Sequence, residues 1–353
     1  MANRKQMTAA VLYAPGDLRV ERVPVPRPGQ GEVLVRVGAC GICGSDGPRV
    51  LEKGAHRHPL IPGHEFAGTV AELGGGVSRW KAGDRVAVFP LIPCRACPAC
   101  REGVYELCEN YDYLGSRSNG AFAEYVCAPA WNLVRVPEGV SLECAALTEP
   151  AAVALHALNR FGVGRGATVA VFGAGPIGVL VAQWAAALGA GRIWLVDIVP
   201  EKLDVARELT RAELILAGER DPVEEIGKAT EGRGVDLAVE AAGVPATVRQ
   251  ALAVCARGGR VVLLGNPSAD VTLPQELVSQ VLRKQLVLGG SWNSSFRGGE
   301  DDEWAAALAA MADGRLRVAP LITHRFRLEQ AGEAFSLIAE NARFYQKIMF
   351  VFD

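Results

Sequence analysis

Four cysteines lie close together in the sequence, and four thiolates at such spacing can enclose a zinc ion. The surrounding residues form a polar, loop-like stretch rather than an apolar core pattern. Four reduced core cysteines are the alternative interpretation, but core cysteines normally lie in apolar stretches. A tetrahedral site made only of thiolates leaves no open coordination position, so the zinc predicted here is structural. The spacing is Cys94-x2-Cys97-x2-Cys100-x7-Cys108.

A second group of possible metal ligands is dispersed along the chain. One thiolate, one imidazole and one carboxylate are three protein ligands, which leave the fourth position of a zinc ion to water or substrate. That arrangement is typical of a catalytic metal, provided that the fold brings the three segments together. The segments are Gly41-Ile-Cys43-Gly-Ser45-Asp46, Gly63-His64-Glu65 and Thr148-Glu149-Pro150.

A glycine-rich segment in the middle of the chain predicts a dinucleotide site. It matches GxGxxG between an apolar strand predicted at 168–172 and a following helix, which is the context that gives this otherwise weak pattern its meaning. The glycines allow the backbone to approach a pyrophosphate, and the helix N-terminus supplies free amides. The alternative is a glycine turn with no ligand. The segment is Gly173-Ala-Gly175-Pro176-Ile177-Gly178.

The choice between NAD and NADP depends on a carboxylate after the next predicted strand. Asp197 lies about 20 residues beyond Gly178, the spacing expected of the carboxylate that binds the adenosine ribose and repels a 2′-phosphate. Ile198 rather than an arginine follows it. The sequence therefore favours NAD, although Lys202 and Arg207 are cations that leave NADP open.

A change in composition and in predicted secondary structure along the chain indicates two domains. The first 150 or so residues are rich in glycine and proline, with short β-type runs at 32–38 and 84–89, which predict an antiparallel, barrel-like β domain. A helix is predicted to begin near Glu149-Pro150. Beyond it, strands and helices alternate, which predicts a parallel, doubly wound sheet. The predicted strands are 168–172, 192–196, 235–240, 260–264 and 286–288. One predicted helix follows the first strand and ends at 188, and another spans 201–209. A helix at 304–312 and a strand at 347–352 are expected to return to the first domain.

Charge and composition exclude other classes of protein. The formal net charge of −2 leaves no basic excess for nucleic acid or an anionic membrane surface. The chain starts without the apolar segment of a signal peptide, and no apolar run is long enough to span a membrane, so we expect a cytoplasmic protein. Clustering within an odd total of nine cysteines favours metal over disulfides.

Together these motifs, in this order, resemble the medium-chain, zinc-dependent alcohol dehydrogenase family. Within it, three further segments are most similar to the polyol dehydrogenase branch: Gly54-Ala-His-Arg-His-Pro, Tyr111-Asp-Tyr-Leu-Gly-Ser-Arg117, and Leu282-Arg-Lys-Gln-Leu with Gly290-Ser-Trp292. The resemblance covers essentially the whole chain. It implies an α/β protein in which a GroES-like β-rich catalytic domain, 1–151 and 294–353, carries an inserted Rossmann domain, 152–293, with a cleft between them. A homodimer or a homotetramer is also expected.

The resemblance further implies a role for each residue of the dispersed group. Cys43, His64 and Glu149 would hold a catalytic zinc, with Glu65 as a nearby or exchangeable ligand. Ser45 would be the proton relay, and Asp46 would orient His64. One residue departs from the pattern, because Pro48 stands where many relatives have a histidine that passes the proton to solvent. The outward relay is therefore unassigned.

The implied reaction is NAD-linked oxidation of a secondary alcohol to a ketone. Zinc lowers the pKa of the alcohol hydroxyl, and hydride then passes to the nicotinamide. A polyol, a cyclic polyol and a sugar-alcohol phosphate all remain possible substrates. An amino alcohol, as in threonine dehydrogenases, is an alternative, and a zinc-ribbon binding protein without catalysis is another. Arg117 and Asn293 either contact hydroxyls or a phosphate of the substrate, or cap turns.

Overall fold

The structure is a computed structural model, and it describes residues 6–299, 302–340 and 343–353. Its strands are β1 (Gln6–Ala14), β2 (Asp17–Pro24), β3 (Glu32–Gly41), β4 (Glu65–Leu73), β5 (Arg85–Val88), β6 (Leu91–Ile92), β7 (Asp112–Tyr113), β8 (Tyr125–Pro129), β9 (Leu133–Arg135), β10 (Thr168–Phe172), β11 (Arg192–Asp197), β12 (Glu213–Leu216), β13 (Val235–Glu240), β14 (Cys255–Leu263), β15 (Val287–Gly290), β16 (Ile322–Phe326) and β17 (Lys347–Val351). Its helices are α1 (Asp46–Pro48), α2 (Pro98–Arg101), α3 (Leu142–Ala146), α4 (Thr148–Phe161), α5 (Pro176–Ala187), α6 (Pro200–Leu209), α7 (Pro222–Ala229), α8 (Pro245–Val254), α9 (Gln275–Lys284), α10 (Glu303–Ala312) and α11 (Ala331–Glu340).

The described residues separate into two compact units. The first unit contains the described residues of the segments Met1–Glu149, Ser295–Gly314 and Leu321–Asp353. The second unit contains Pro150–Ser294 and Arg315–Pro320. Within the described ranges, no helix combines the length and the apolar character needed to cross a membrane.

The first unit is built on a β sheet with the order β16-β17-β3-β4-β5-β9, to which β8 adds by pairing with β3. Strand β17 pairs antiparallel with β3, so the prediction that the C-terminal strand returns to the first part of the chain is confirmed. The strand pairs of this sheet within the first 150 residues are all antiparallel, as predicted, whereas β16 and β17 from the C-terminal part of the chain run parallel to each other. Helix α11 connects these two strands, and a crossover helix is the usual link between parallel neighbours.

The second unit is a parallel sheet with the order β12-β11-β10-β13-β14-β15, and it confirms the predicted doubly wound α/β fold. The central strands β10 and β13 are almost entirely buried, as expected of strands covered by helices on both faces. The observed bounds of these two strands match their predicted bounds. The sequence does not predict strand β12 or helices α7, α8 and α9; β12 is only four residues long, and α7 and α9 interleave apolar with charged residues.

Candidate active site and metal centres

The four clustered cysteines converge in the structure. Their sulfur atoms all lie within 4.8 Å of one another, which is a spacing that one metal ion can bridge. Local turns produce this convergence, because Cys97 caps the short helix α2 and Cys108 follows a 3₁₀ turn. The backbone amides of Cys94 and Cys97 donate to the sulfurs of Cys108 and Cys94, at 3.2 and 3.4 Å. We refer to residues 94–108 as the cysteine lobe.

The electrostatics of the cysteine lobe suit a cation. Hydrogen bonds from the backbone amides of Ala96 and Cys97 lower the pKa of Cys94 to about 6. Backbone amides also lower the pKa of Cys97, whereas burial raises that of Cys100 to about 12. The backbone thus stabilises some thiolates but not the full set, and a zinc ion is a charge that would stabilise all four.

The second group of ligands is assembled by the register of β3 and β4. These strands are antiparallel, and Gly41 at the end of β3 pairs with Glu65 at the start of β4. The register therefore places Cys43, two residues beyond Gly41, beside His64. One ligand atom from each of Cys43, His64 and Glu65 lies within 4.8 Å of the others. We call this group the open site, because three protein ligands leave the fourth position of a zinc ion open.

Glu149 is buried near the open site, but it is not part of that closely spaced group of three. It occupies the second position of helix α4. The hydroxyl of Tyr113 donates to its Oε1 over 3.4 Å, and the ring of Tyr113 packs edge-on against His64. Burial raises the pKa of Glu149 to about 7, although the neighbouring imidazole of His64 opposes this. The structure thus offers two carboxylates near Cys43 and His64.

Lys347 is a component of the site that sequence reasoning missed. Its buried ammonium donates to both carboxylate oxygens of Glu65, at 2.9 and 2.7 Å, and to the carbonyl of Ile42 at 3.1 Å. Burial alone would lower the pKa of Lys347, but Glu65 and Cys43 outweigh that effect and raise it. A lysine at the start of an apolar terminal strand gives no sequence signal of a partner 282 residues away.

The donor set of the open site fits zinc. Burial raises the pKa of Cys43 to about 12, and the nearby carboxylate of Glu65 adds to the increase. Beside the Glu65 carboxylate, which the Lys347 ammonium compensates, the site holds a thiol, an imidazole and the buried carboxylate of Glu149. Thiolate, imidazole and carboxylate are the ligands that zinc prefers. Zinc held by Cys43, His64 and one of the carboxylates would supply a positive charge that stabilises the Cys43 thiolate.

The residues predicted to assist the open site lie beside it. Ser45 is half-buried and precedes helix α1, in which Asp46 is fully buried. Asp46 Oδ1 lies 3.6 Å from Nδ1 of His64, which is longer than a hydrogen bond, and this Nδ1 is buried without a partner. The carboxylate of Asp46 instead accepts from the amide of Cys43 at 2.9 Å and from the guanidinium of Arg49. Orientation of His64 by Asp46 stays a prediction.

The glycine-rich segment of the second unit lies between β10 and α5. Gly173 has a φ of +106°, a conformation that side chains other than glycine rarely adopt. A Cβ on Gly178 would lie 1.7 Å from the carbonyl oxygen of Gly173, so only glycine allows the helix to pack this closely on the loop. Gly175 is the N-cap of α5 and makes no side-chain cap, and Pro176 and Ile177 form the first turn. The helix N-terminus therefore has amides available for an anion.

Asp197 ends strand β11 beside this loop. Its carboxylate accepts from the amide of Ala174 at 2.7 Å and from that of Val199 at 2.9 Å. These two bonds fix the carboxylate next to the glycine-rich segment and leave lone pairs for further donors. Lys202 lies in the first turns of helix α6 and is half-buried. The roles of Asp197 and Lys202 toward a cofactor stay predictions.

The two candidate substrate residues have different surroundings. The guanidinium of Arg117 stacks on the ring of Tyr111 at 4.4 Å, and its Nε is buried without a hydrogen-bond partner. Asn293 has a φ of 59°, and its side-chain oxygen accepts from the amide of Ser294 at 2.9 Å. The side-chain oxygen of Asn293 is thus used locally, whereas Nε of Arg117 is an unused donor, and the substrate roles of both residues stay predictions.

Known proteins resemble the chain over almost its full length. The family model for the alcohol dehydrogenase GroES-like domain matches residues 29–138, and the model for zinc-binding dehydrogenases matches residues 176–313. Galactitol 1-phosphate 5-dehydrogenase of Escherichia coli K12 is 36% identical over 95% of this chain and 97% of its own. Sorbitol dehydrogenase of Bacillus subtilis is 36% identical over 94% of this chain and 93% of its own.

A solved structure shares the fold as well. The crystal structure of galactitol-1-phosphate dehydrogenase from Escherichia coli superposes with a TM-score of 0.90 at 36% identity, covering 98% of this chain and all of the other. The resemblance stated from the motifs is thereby confirmed. The chain belongs to the zinc-type alcohol and polyol dehydrogenase family, and it is an oxidoreductase.

Proposed function

We propose that this enzyme oxidises a secondary alcohol of a polyol or a sugar-alcohol phosphate to the ketone, with NAD as the hydride acceptor. The observation that carries the proposal is the convergence of Cys43, His64 and two carboxylates from separate segments of the chain. The names of the relatives support a polyol substrate. In a zinc-ribbon binding protein, by contrast, a second metal site with an open coordination position would have no use.

The residues of the chain have distinct parts in this reaction. Cys43 and His64 would hold the metal, together with Glu149 or Glu65. Bound zinc would lower the pKa of the substrate hydroxyl, and NAD would accept the hydride. Ser45 would accept the hydroxyl proton through a hydrogen bond. The exposed Pro48 carries no group that could pass this proton to solvent, so a ribose hydroxyl, water or another residue would have to do so.

The preference for NAD is supported by Asp197. Its carboxylate is held at the glycine-rich segment by two backbone amides. A fixed negative charge there accepts a hydrogen bond from a ribose hydroxyl and repels a 2′-phosphate. Lys202 would contribute to cofactor binding from helix α6. The Asp197→Ala variant should therefore lose part of its preference for NAD over NADP, as measured by the ratio of kcat/KM for the two cofactors.

Arg117 supports a phosphorylated substrate among the possible polyols. Its buried Nε has no partner, and a row of aromatic rings links it to the open site. Arg117 stacks on Tyr111, whose ring packs against Tyr113, and Tyr113 packs against His64. A guanidinium without a carboxylate partner is well suited to a phosphate. Asn293, already bonded to its own turn, is a weaker candidate.

A matched panel of substrates tests the proposal. We expect NADH to form from hexitols or their 1-phosphates, and not from threonine. If Arg117 binds phosphate, Arg117→Gln should lower kcat/KM for the phosphorylated hexitol about tenfold or more, with little change for the free hexitol. Turnover of threonine alone would contradict the polyol assignment. Equal loss with both hexitols would contradict the role of Arg117 but not the reaction.

We also propose that the catalytic domain comprises 1–151 and 294–353, with 152–293 inserted as the Rossmann domain. The limits of the two compact units support this division except at Arg315–Pro320, which groups with Pro150–Ser294. In that short segment, the side chain of Gln183 donates to the backbone carbonyl of Arg317 and accepts from the backbone amide of Arg317. These two hydrogen bonds attach the segment to helix α5.

Self-association is proposed through the edge of the parallel sheet. Among the described strands, β15 pairs only with β14, and its neighbouring residues Val287 and Leu288 are both exposed. Neighbouring residues of a strand point to opposite faces, so both faces of this edge are apolar and uncovered. A second copy could pair with it through a two-fold axis. Leu288→Lys should then convert a dimer into monomers in light scattering, and an unchanged mass would contradict this interface.

A further inference from the structure

The buried ion pair between Lys347 and Glu65 is next to Cys43 and His64, yet neither the reaction nor the family resemblance assigns it a role here. We infer that Lys347 is a positioning residue that holds the carboxylate of Glu65, and so leaves Glu149 as the carboxylate that completes the open site. The inference rests on the proposed function, because it concerns the metal site of that reaction.

The strand register explains how Lys347 reaches Glu65. Strand β17 pairs with β3 on one side, with Met349 opposite Gly41, and β4 pairs with β3 on the other, with Glu65 opposite Gly41. Lys347 precedes Met349 by two residues and therefore points to the same face of the sheet. A Cβ on Gly41 would lie 2.4 Å from Oε2 of Glu65. The missing side chain of Gly41 therefore provides the space that the carboxylate occupies.

The two carboxylates near the open site differ in their partners. Both oxygens of Glu65 accept from the Lys347 ammonium, at 2.9 and 2.7 Å, in surroundings where both side chains are almost fully buried. Glu149 accepts from the neutral hydroxyl of Tyr113 over 3.4 Å, which is a weak hydrogen bond. A buried carboxylate needs a counter-charge. Lys347 supplies it to Glu65, whereas a metal ion would supply it to Glu149.

A purely structural role for Lys347 would depend on a different contact. Its ammonium also donates to the carbonyl of Ile42, at 3.1 Å, and so fastens β17 to the backbone just before Cys43. If this contact were the important one, removing the ammonium would disturb the site whether or not residue 65 carries a charge. The two roles therefore give different results when both positions are changed.

Cobalt(II) in place of zinc gives a spectroscopic test that does not depend on turnover. In Lys347→Met, the carboxylate of Glu65 loses its ammonium partner. The metal ion is then its only counter-charge, so Glu65 should become a metal ligand. We expect the visible absorption bands of the open-site cobalt to shift, and its removal by a chelator to slow about tenfold. Lys347→Arg should keep the parental spectrum. Glu65→Gln should also keep it, because Glu65 is not a ligand in the parent protein.

The double variant Lys347→Met/Glu65→Gln separates the two roles. If Lys347 acts through Glu65, this variant returns to the spectrum and the chelation rate of Glu65→Gln. The inference is overturned if the double variant shows the same change as Lys347→Met, or if Lys347→Met matches the parent. If Lys347→Met does not fold, the spectrum of Glu65→Gln still tests the inference. A difference from the parental spectrum would show that Glu65 is a metal ligand in the parent protein and would overturn it. A parent protein that binds only one cobalt ion would overturn the open site, and with it both proposals.

Discussion

The cysteine lobe and the open site use similar ligands but are assembled in different ways. All four sulfurs of the lobe come from residues 94–108, and local turns bring them within 4.8 Å. The open site depends on the pairing of β3 with β4, on the start of α4 and on the last strand, β17. A local site can be recognised from spacing alone, whereas a site made by sheet register cannot, because its neighbours are set by tertiary structure.

The two sites also differ in the groups that stabilise the negative charges of their ligands. Backbone amides stabilise the thiolates of Cys94 and Cys97, from Ala96 and Cys97 for the first and from Glu109 and Cys100 for the second. In the open site, a lysine from the far end of the chain compensates Glu65, and the pKa values of Cys43 and Glu149 are raised by burial. We therefore expect the lobe to affect stability when it is damaged, and the open site to affect chemistry.

The largest expected effect is on turnover, from Cys43→Ser. This change weakens metal binding at the open site and removes several kcal/mol of transition-state stabilisation, so kcat should fall by about three orders of magnitude. The melting temperature and the affinity for NAD should stay close to those of the parent, because the glycine-rich segment belongs to the other unit. Turnover assays, thermal melts and NAD titration measure the three quantities. Near-parental kcat would show that the open site is not catalytic.

The next effect is on stability, from Cys100→Ser. This change removes one of four thiolate ligands, so zinc content should fall by one ion per chain and the cysteine lobe should loosen. For a chain of this size we expect the melting temperature to fall by about 10 °C. Cys144→Ser is the matched control, since Cys144 is a half-buried free cysteine outside both groups. A variant that melts normally but has lost all activity would mean that the two sites were assigned the wrong way round.

The sequence predicted the cysteine lobe and the glycine-rich segment, but not the strand pairing that assembles the open site. The four cysteines and the glycine-rich segment are read from short spacings, and β10 and β13 from their apolar runs. The orientation of His64 was less predictable, because Arg49 and the amide of Cys43 hold the carboxylate of Asp46, which lies 3.6 Å from the imidazole. The contact of Lys347 with Glu65 was likewise not predictable from the sequence. Its partner is determined by the order of strands, which no local pattern contains.

A third, smaller effect tests the dependence of the open site on register. Gly41→Ala would place a methyl group 2.4 Å from Oε2 of Glu65, and either this carboxylate or the strand must shift. We expect kcat/KM to fall about tenfold, with a change of about 1 kcal/mol in stability. Gly44→Ala is the control, since a Cβ there would meet nothing within 4 Å. Equal effects of the two variants would contradict a specific role for the space at Gly41.

The smallest expected effect concerns the attachment of the cysteine lobe to the rest of its unit. The guanidinium of Arg95 stacks on the ring of Trp131 at 4.5 Å, and Tyr105 packs edge-on against the same ring. Arg95→Gln removes the cation–π interaction, which is worth about 0.5–1 kcal/mol at an exposed position such as this one. The melting temperature should therefore fall by about 2 °C, while zinc content and kcat stay unchanged. Arg101→Gln, at an exposed arginine of the same lobe, should have no effect. A loss of turnover in Arg95→Gln without a loss of stability would show that the lobe contributes to catalysis directly, and the contrast between a structural and a catalytic site would no longer hold.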